Sequence, residues 1–439
     1  MTDTRQRSAE DGRPGGFIAI SKRDLVAALI KEPAFADDAE REKFHRLCRM
    51  LGSIFHYEYF QALERLRDDY YYFDPEIGPH GAMDGALIER RYADLVRTLD
   101  AVLKDADFSA VPHGEIGDAH RRRTVLRVEV KAPLDDFREI RFYRRGRHIE
   151  PFEVAEWFGL RRHKVEAEVY DDVVLLAAVR PPAEIGSRRE LRALERHKMR
   201  PGSVLLKCFR NIAESDLNAL FPNVRVVMSS ADKFVLGLPA IAGGIPILIN
   251  IYTTITVLFL VLGFYLGVGA AVADKDMKTA LAALSGLVAL GAFVLRQWVK
   301  YQRQSLKYQV ELTDNVYYRN VNNNAGVFDY LIGAAEEQEC KHAVLAYHFV
   351  RAAPSAPRAD ELVARVAAWL RATFQVDVAF EAADAIEKLQ RLGLLARRNG
   401  RQGEELVVLP LDQALARLHR AWDDFFPAGQ PAAALSQKL

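Results

Sequence analysis

Cysteine is scarce in this chain: Cys48, Cys208 and Cys340 are the only three. No two lie close in sequence, which excludes a C-x-x-C zinc ribbon and a dense disulfide framework and suits a reducing compartment. Net charge is equally sparse, +1 at neutral pH, so no overall field draws the chain to nucleic acid or to an acidic partner. The common catalytic signatures are missing as well. There is no His-Glu-x-x-His, no G-x-x-x-x-G-K-S/T and no G-x-S-x-G, which removes the usual zinc-protease, P-loop and hydrolase-elbow readings. Met1 to Gly16 is polar and has no apolar core, so no secretory signal is predicted.

The largest absence is local. No Asp, Glu, Lys, Arg or His occurs from Val235 through Ala273, and none from Thr279 through Leu295. A short polar break, Asp274 to Lys278, separates the two runs. A bilayer core needs roughly 20 apolar helical residues. The pattern therefore predicts a two-helix transmembrane hairpin over 233–298, with spans at about 245–267 and 279–295. Gly263 and Gly267 in the first span, and Ala282 and Gly286 in the second, have the small-residue spacing that lets two helices pack closely in lipid. Lys233, Arg296, Trp298 and Lys300 would mark the membrane interface. The basic flanks place both soluble regions on the cytoplasmic face.

What is present on either side reads as folded protein. Residues 1–16 and 427–439 are predicted to be disordered. Residues 17–111 read as helical: Lys22 to Lys31 behind a Ser21/Asp24 cap, Asp37 to about Tyr70 with apolar residues at three-and-four spacing, and Ala86 to Lys104. Residues 112–232 read as an α+β domain with a small sheet. Its predicted strands are Thr124–Val130, Phe137–Tyr143 before a turn at Arg145-Gly146, Val165–Tyr170 and Val173–Val179 as a hairpin around Asp171-Asp172, Val204–Phe209 and Val224–Met228, with a helix Glu214–Leu220. Residues 299–353 read as a juxtamembrane helical region containing one helix, Ala325 to Arg351. Residues 358–426 run helix, short strand, helix, Gly393, β-hairpin, helix, which is the layout of a winged-helix-like domain. The expected fold class is thus an α+β membrane protein.

Three stretches resemble the transmembrane protein 143 family, a family of unknown function with bacterial relatives. They are Lys207 to Ile212 with Asp216-Leu217 and Leu220 to Pro222, the apolar hairpin after them, and Tyr317 to Asn324 with Glu336 to Tyr347. The resemblance implies two transmembrane helices with soluble flanks and carries over no catalytic residue. It places the chain in a bacterial inner membrane, or in a mitochondrial membrane if eukaryotic.

Candidate chemistry is thin. Glu339-x-x-His342 has the spacing of a di-iron carboxylate bundle. No second such pair exists, and a solvated helix face is the plain alternative. No cofactor is expected. Glu381, Asp384 and Glu387 would face phosphates on the second helix of the winged-helix-like domain, which counts against nucleic acid because phosphate neutralisation dominates affinity. The expected partners are the lipid bilayer and a second copy or another protein at that domain. The functional expectation is a non-enzymatic, hairpin-anchored scaffold or adaptor. The alternatives are a subunit of an oligomeric channel and an enzyme with its site in the α+β domain.

Overall fold

The computed structural model describes residues 16–77, 84–112, 129–131, 133–156, 161–227, 291–300, 317–400 and 403–425, with single positions between 259 and 310. It divides into two units, one built from 1–116, 134–214 and 319–439, the other from 117–133 and 215–318.

In the larger unit the helices begin where the sequence supplies caps. Ser21 Oγ accepts from the Asp24 N–H (3.1 Å) to open α1, Lys22–Ile30. Asp37 accepts from the Glu40 N–H (2.7 Å) to open α2, Asp38–Tyr70. Such caps satisfy backbone donors that the first turn leaves unpaired. Next come α3, Gly85–Asp105, and a short strand β1, Ser109–Ala110. In the smaller unit β2, Glu129–Lys131, pairs antiparallel with β7, Arg225–Val227. There Asn223 Nδ2 also donates to the Pro133 carbonyl (2.7 Å). The stretch Glu214–Leu220, predicted as a helix, is a 3-10 turn series.

The main sheet of the larger unit is antiparallel. It contains β3, Phe137–Arg145, β4, His148–Glu156, β5, Arg161–Val179, β6, Val204–Ala213, and β8, Asn320–Asn323. Its order is β1-β3-β5-β6-β8, with β4 also on β5. A short helix α4, Arg188–Arg196, joins β5 to β6. Neither of two predicted reversals occurs. Asp171-Asp172 does not reverse the chain, because β5 runs through it for 19 residues. Arg145-Gly146 is no reversal either. Arg145 pairs with Asp172 and His148 with Val169 in one continuous register, so β3 and β4 lie end to end along β5. Gly146 adopts φ +66° there, and a Cβ would sit 2.0 Å from the Asp171 carboxylate. Only glycine fits such a conformation and approach.

The reason β5 continues is the partner waiting for Asp172. The Arg145 guanidinium donates to Asp172 Oδ2 at 2.5 and 3.1 Å and to the Ala106 carbonyl at 3.2 Å. Tyr330 Oη donates to Asp172 Oδ1 at 2.7 Å, and Arg210 Nε adds a bond at 3.3 Å. Arg145 also stacks on Phe17 (4.5 Å) and Phe108 (4.7 Å). Both charged side chains are 6 % exposed.

One sheet face, carrying Tyr143, Val174, Leu176, Ala178, Val204, Leu206 and Cys208, belongs to the same core as the helices. At the centre of that core is α5, Ala325–Arg351. It packs against α1, α2 and α3 and against the C-terminal helices α6, Ala359–Phe374, and α7, Ala382–Arg391. A β9–β10 ribbon, Leu395–Gly400 with Gly403–Val408, and a last helix α8, Leu411–Phe425, complete the unit. From Gln338 through His348 every residue of α5 is buried, polar ones included.

The membrane expectation does not stand. Among the described residues no helix is long and apolar enough to cross a bilayer. The expected spans 245–267 and 279–295, with Lys233, Gly263, Gly267, Ala282 and Gly286, lie almost wholly outside the described residues. Residues 291–300 are helical and Trp298 is exposed, but Arg296, Trp298 and Lys300 lose their interface role with the spans. An uncharged run measures apolarity, and apolarity alone does not separate a lipid-facing helix from a protein-facing one. The architecture is mixed α+β. The multi-pass location, the anchored scaffold and the channel reading fall with the hairpin.

Two outcomes follow for stability. Removing one member of a buried ion pair leaves the other uncompensated, at about 3–5 kcal/mol. Arg145→Met and Asp172→Leu should each lower the urea midpoint strongly, and the double variant should lose less than the sum. Additive losses would show that the pair is not coupled. His348, 1 % exposed, sits against Phe35 (5.6 Å), Phe44 (5.4 Å) and Phe349 (5.1 Å). Burial, helped by Arg351, holds its imidazole down at about 4. An unfolded imidazole titrates near ~6.5. Between those values only the unfolded state takes up the proton, so stability present at neutral pH is lost as pH falls, by at most about 3 kcal/mol. His348→Phe should flatten this acid loss in urea titrations at pH 7 and pH 4.5; an unchanged loss assigns it elsewhere.

Candidate functional site

Because this stretch of α5 is enclosed, its polar residues must find partners inside. Gln338, Glu339, Lys341, His342 and His348 are all buried. Gln338 and Lys341 hold the N-terminal segment. Gln338 accepts from the Ile18 N–H (3.2 Å) and donates to the Ile18 carbonyl (3.1 Å). Lys341 Nζ donates to the Ile18 and Ile20 carbonyls, both at 2.8 Å, and pairs with Glu337 at 3.2 Å. This is side-chain capture of a backbone segment that belongs to no helix or strand.

One turn along, Glu339 and His342 face α7. The i, i+3 spacing puts both on one side of the helix. The structure adds Asp384 to them: one ligand atom from each of Glu339, His342 and Asp384 lies within 4.8 Å of the others. The solvated-face alternative for Glu339 is therefore wrong, since the residue is 1 % exposed. Asp384 is likewise not displayed for phosphates on a recognition helix, being half-buried at this junction. Its participation was hidden in the sequence because α5 and α7 meet only through the tertiary fold.

Lys388, one turn after Asp384, enters the same space. It forms ion pairs with Glu339 and with Asp384, and lies 3.9 Å from Asp105. The Glu339 contact is an ion pair without a directed hydrogen bond at Oε2. Asp105 closes α3 and accepts from the Tyr59 hydroxyl (2.8 Å). Asp107 follows in the left-handed conformation, φ +60°. Its Oδ2 is 3.7 Å from His342 Nε2, and neither atom has a hydrogen-bond partner among the described residues. The Phe380 ring closes over the His342 imidazole at 5.6 Å, edge to face.

The electrostatics follow from burial. Desolvation pushes the Asp107 carboxyl up to about 7, with Glu381 adding to it. Desolvation, then Asp105, also raises Asp384. The Lys388 ammonium is pushed down to about 8, chiefly by burial. His342 is lowered for the same reason, against the opposing pull of Asp384 and the Gly16 backbone. The cluster thus concentrates carboxylates, a neutral imidazole and one ammonium in a largely dehydrated space. Its donor set, one imidazole nitrogen with carboxylate oxygens, suits a borderline divalent ion such as zinc, manganese or ferrous iron.

Comparison with known families matches one model, described as a protein of unknown function (DUF3754), over residues 170–326. This is well under half of the chain. It covers the end of β5 through β8 and stops two residues into α5, so Glu339, His342 and Asp384 lie beyond it. Nothing in the comparison points to the transmembrane protein 143 family, and that resemblance is withdrawn. No solved structure matches the chain.

Proposed function

We propose that the chain binds a divalent transition-metal ion through Glu339, His342 and Asp384, and that the ion clamps α5 to α7. The supporting observation is the unpartnered Nε2 of His342, on a side chain 3 % exposed and 3.7 Å from the Asp107 carboxylate, with a ring nitrogen of the same residue within 4.8 Å of ligand atoms of Glu339 and Asp384. A nitrogen that deeply buried normally has a partner. The gathering of carboxylates points the same way. Asp105, Glu339 and Asp384 bring three carboxylates to the Lys388 ammonium, with Lys104 and Arg391 the further cations acting on them. Of these only Glu339 is fully buried, and a buried carboxylate is expensive unless it is paired or coordinates a metal.

The second reading keeps Lys388 as the permanent counter-ion, and its ion pairs favour it. The two readings part at Lys388→Met. If a metal belongs there, this variant vacates the site and should bind manganese or zinc at least tenfold tighter than the parent, measured by calorimetry after chelator treatment. Glu339→Gln, Asp384→Asn and His342→Ala should each weaken uptake at least tenfold, and cobalt(II) absorption should report loss of the nitrogen ligand in the last. A metal at one hundred times its Kd should stabilise the fold by about 2.7 kcal/mol. Absence of uptake in both parent and Lys388→Met, or uptake indifferent to Glu339→Gln, would leave Lys388 as the resident cation.

A further inference from the structure

On another face of the larger unit, α1 and α2 diverge around a groove of about 950 Å³. This is the scale of a small-molecule site. Val26, Ile30, Cys48, Tyr57, Phe60 and Trp422 give it an apolar lining. Phe60 is 49 % exposed and Trp422 37 %. Tyr57 makes a tilted ring contact with Phe425 at 4.6 Å beside it, which gives one wall an aromatic surface.

Three further observations narrow the occupant. The first is charge. Lys22, Arg23 and Arg49 stand at the groove, against one acid, Glu336. Glu336 is already engaged by His56 (2.9 Å) and Lys22 (3.9 Å). Arg23 and Arg49 have no ion pair among the described residues. The groove therefore offers two uncommitted guanidinium groups beside apolar walls.

The second observation is Gly52, in the middle of a 33-residue helix. A Cβ there would meet Lys22 Nζ at 3.5 Å and Cys340 Sγ at 3.9 Å, which are ordinary contacts. Close packing does not require the glycine, and glycine is a poor residue for a helix interior. What it does is keep the groove floor low.

The third is length. Along α2 the lining runs from His45 to Phe60, about 22 Å at the helical rise. One leaflet of a ~30 Å hydrocarbon core is about 15 Å deep. The groove thus accommodates an extended acyl chain with space left for its head group.

We infer that this groove binds a long-chain fatty acid, its carboxylate at Arg23 and Arg49 and its chain along Val26, Tyr57, Phe60 and Trp422. Guanidinium is suited to carboxylate because it presents a planar fork of donors. The site is separate from the metal cluster, and either can stand without the other.

The test uses the full chain and sub-micellar oleate in calorimetry, with oleyl alcohol as the uncharged control. Oleate should bind one to one, and oleyl alcohol at least tenfold more weakly. Arg23→Glu combined with Arg49→Glu should weaken oleate at least tenfold and leave oleyl alcohol unchanged. Gly52→Leu should block both ligands, while Gly52→Ala should keep binding and raise the melting temperature, which reports that the helix tolerates a side chain there. Equal affinity for acid and alcohol, indifference to the arginine reversal, or no binding at all would overturn the inference. So would a concentration-dependent dimer abolished by Gly52→Leu, which would give the groove to a second copy of the chain.

Discussion

The larger unit depends on where Arg145 puts its positive charge. The residue ends β3 at the point where sheet, helices and N-terminal segment converge. Its guanidinium meets Asp172 of β5, the Ala106 carbonyl after α3 and the Tyr330 hydroxyl of α5, with Phe17 and Phe108 on its faces. A planar group with five donors serves several elements at once, which a lysine in that place would not do. Burying such a pair adds little net stability compared with an apolar isostere. Its value here is positional. It fixes the register of β5 and, through Tyr330, the rotation of α5 about its axis.

That rotation decides what the rest of α5 can do. With Tyr330 toward the sheet, Gln338 and Lys341 face the N-terminal segment, while Glu339 and His342 face α7. The helix thereby sorts adjacent polar residues into two jobs. One pair holds backbone carbonyls with neutral and cationic donors. The other gathers carboxylates and an imidazole around the Lys388 ammonium. A low local dielectric magnifies both, since a satisfied buried network is rigid and an unsatisfied one is costly.

Much of the helical layer was legible in the sequence. The boundaries of α2, α5 and α8 follow from three-and-four spacing and from caps such as Asp37, which are local signals. The candidate pair Glu339 and His342 was legible for the same reason. Asp384, Lys388 and Asp107 were not, because they reach the pair from other elements and no spacing rule spans that separation. The sheet was misread at Asp171-Asp172 and at Arg145-Gly146, where turn-forming residues serve a buried ion pair and a tight crossing instead. The uncharged stretch was misread because composition records what a segment avoids and not what it packs against. The groove between α1 and α2 left one trace in sequence, Gly52 within a helix, and a lone glycine has too many causes to read forward.

The capture of Ile18 by Gln338 and Lys341 sets an order of events during folding. These bonds join residues 320 and 323 positions apart. The larger unit is likewise assembled from three separate segments, with 215–318 counted in the other unit. Loop closure of that size adds little to the equilibrium, since each doubling of length costs only about 0.6 kcal/mol. In time it matters more, because contacts distant in sequence slow the search. On a ribosome the N-terminal helices emerge long before α5, the surface they are built to enclose. The apolar sides of α1, α2 and α3 that α5 covers therefore stay open through most of synthesis, the kind of exposed surface on which chaperones act.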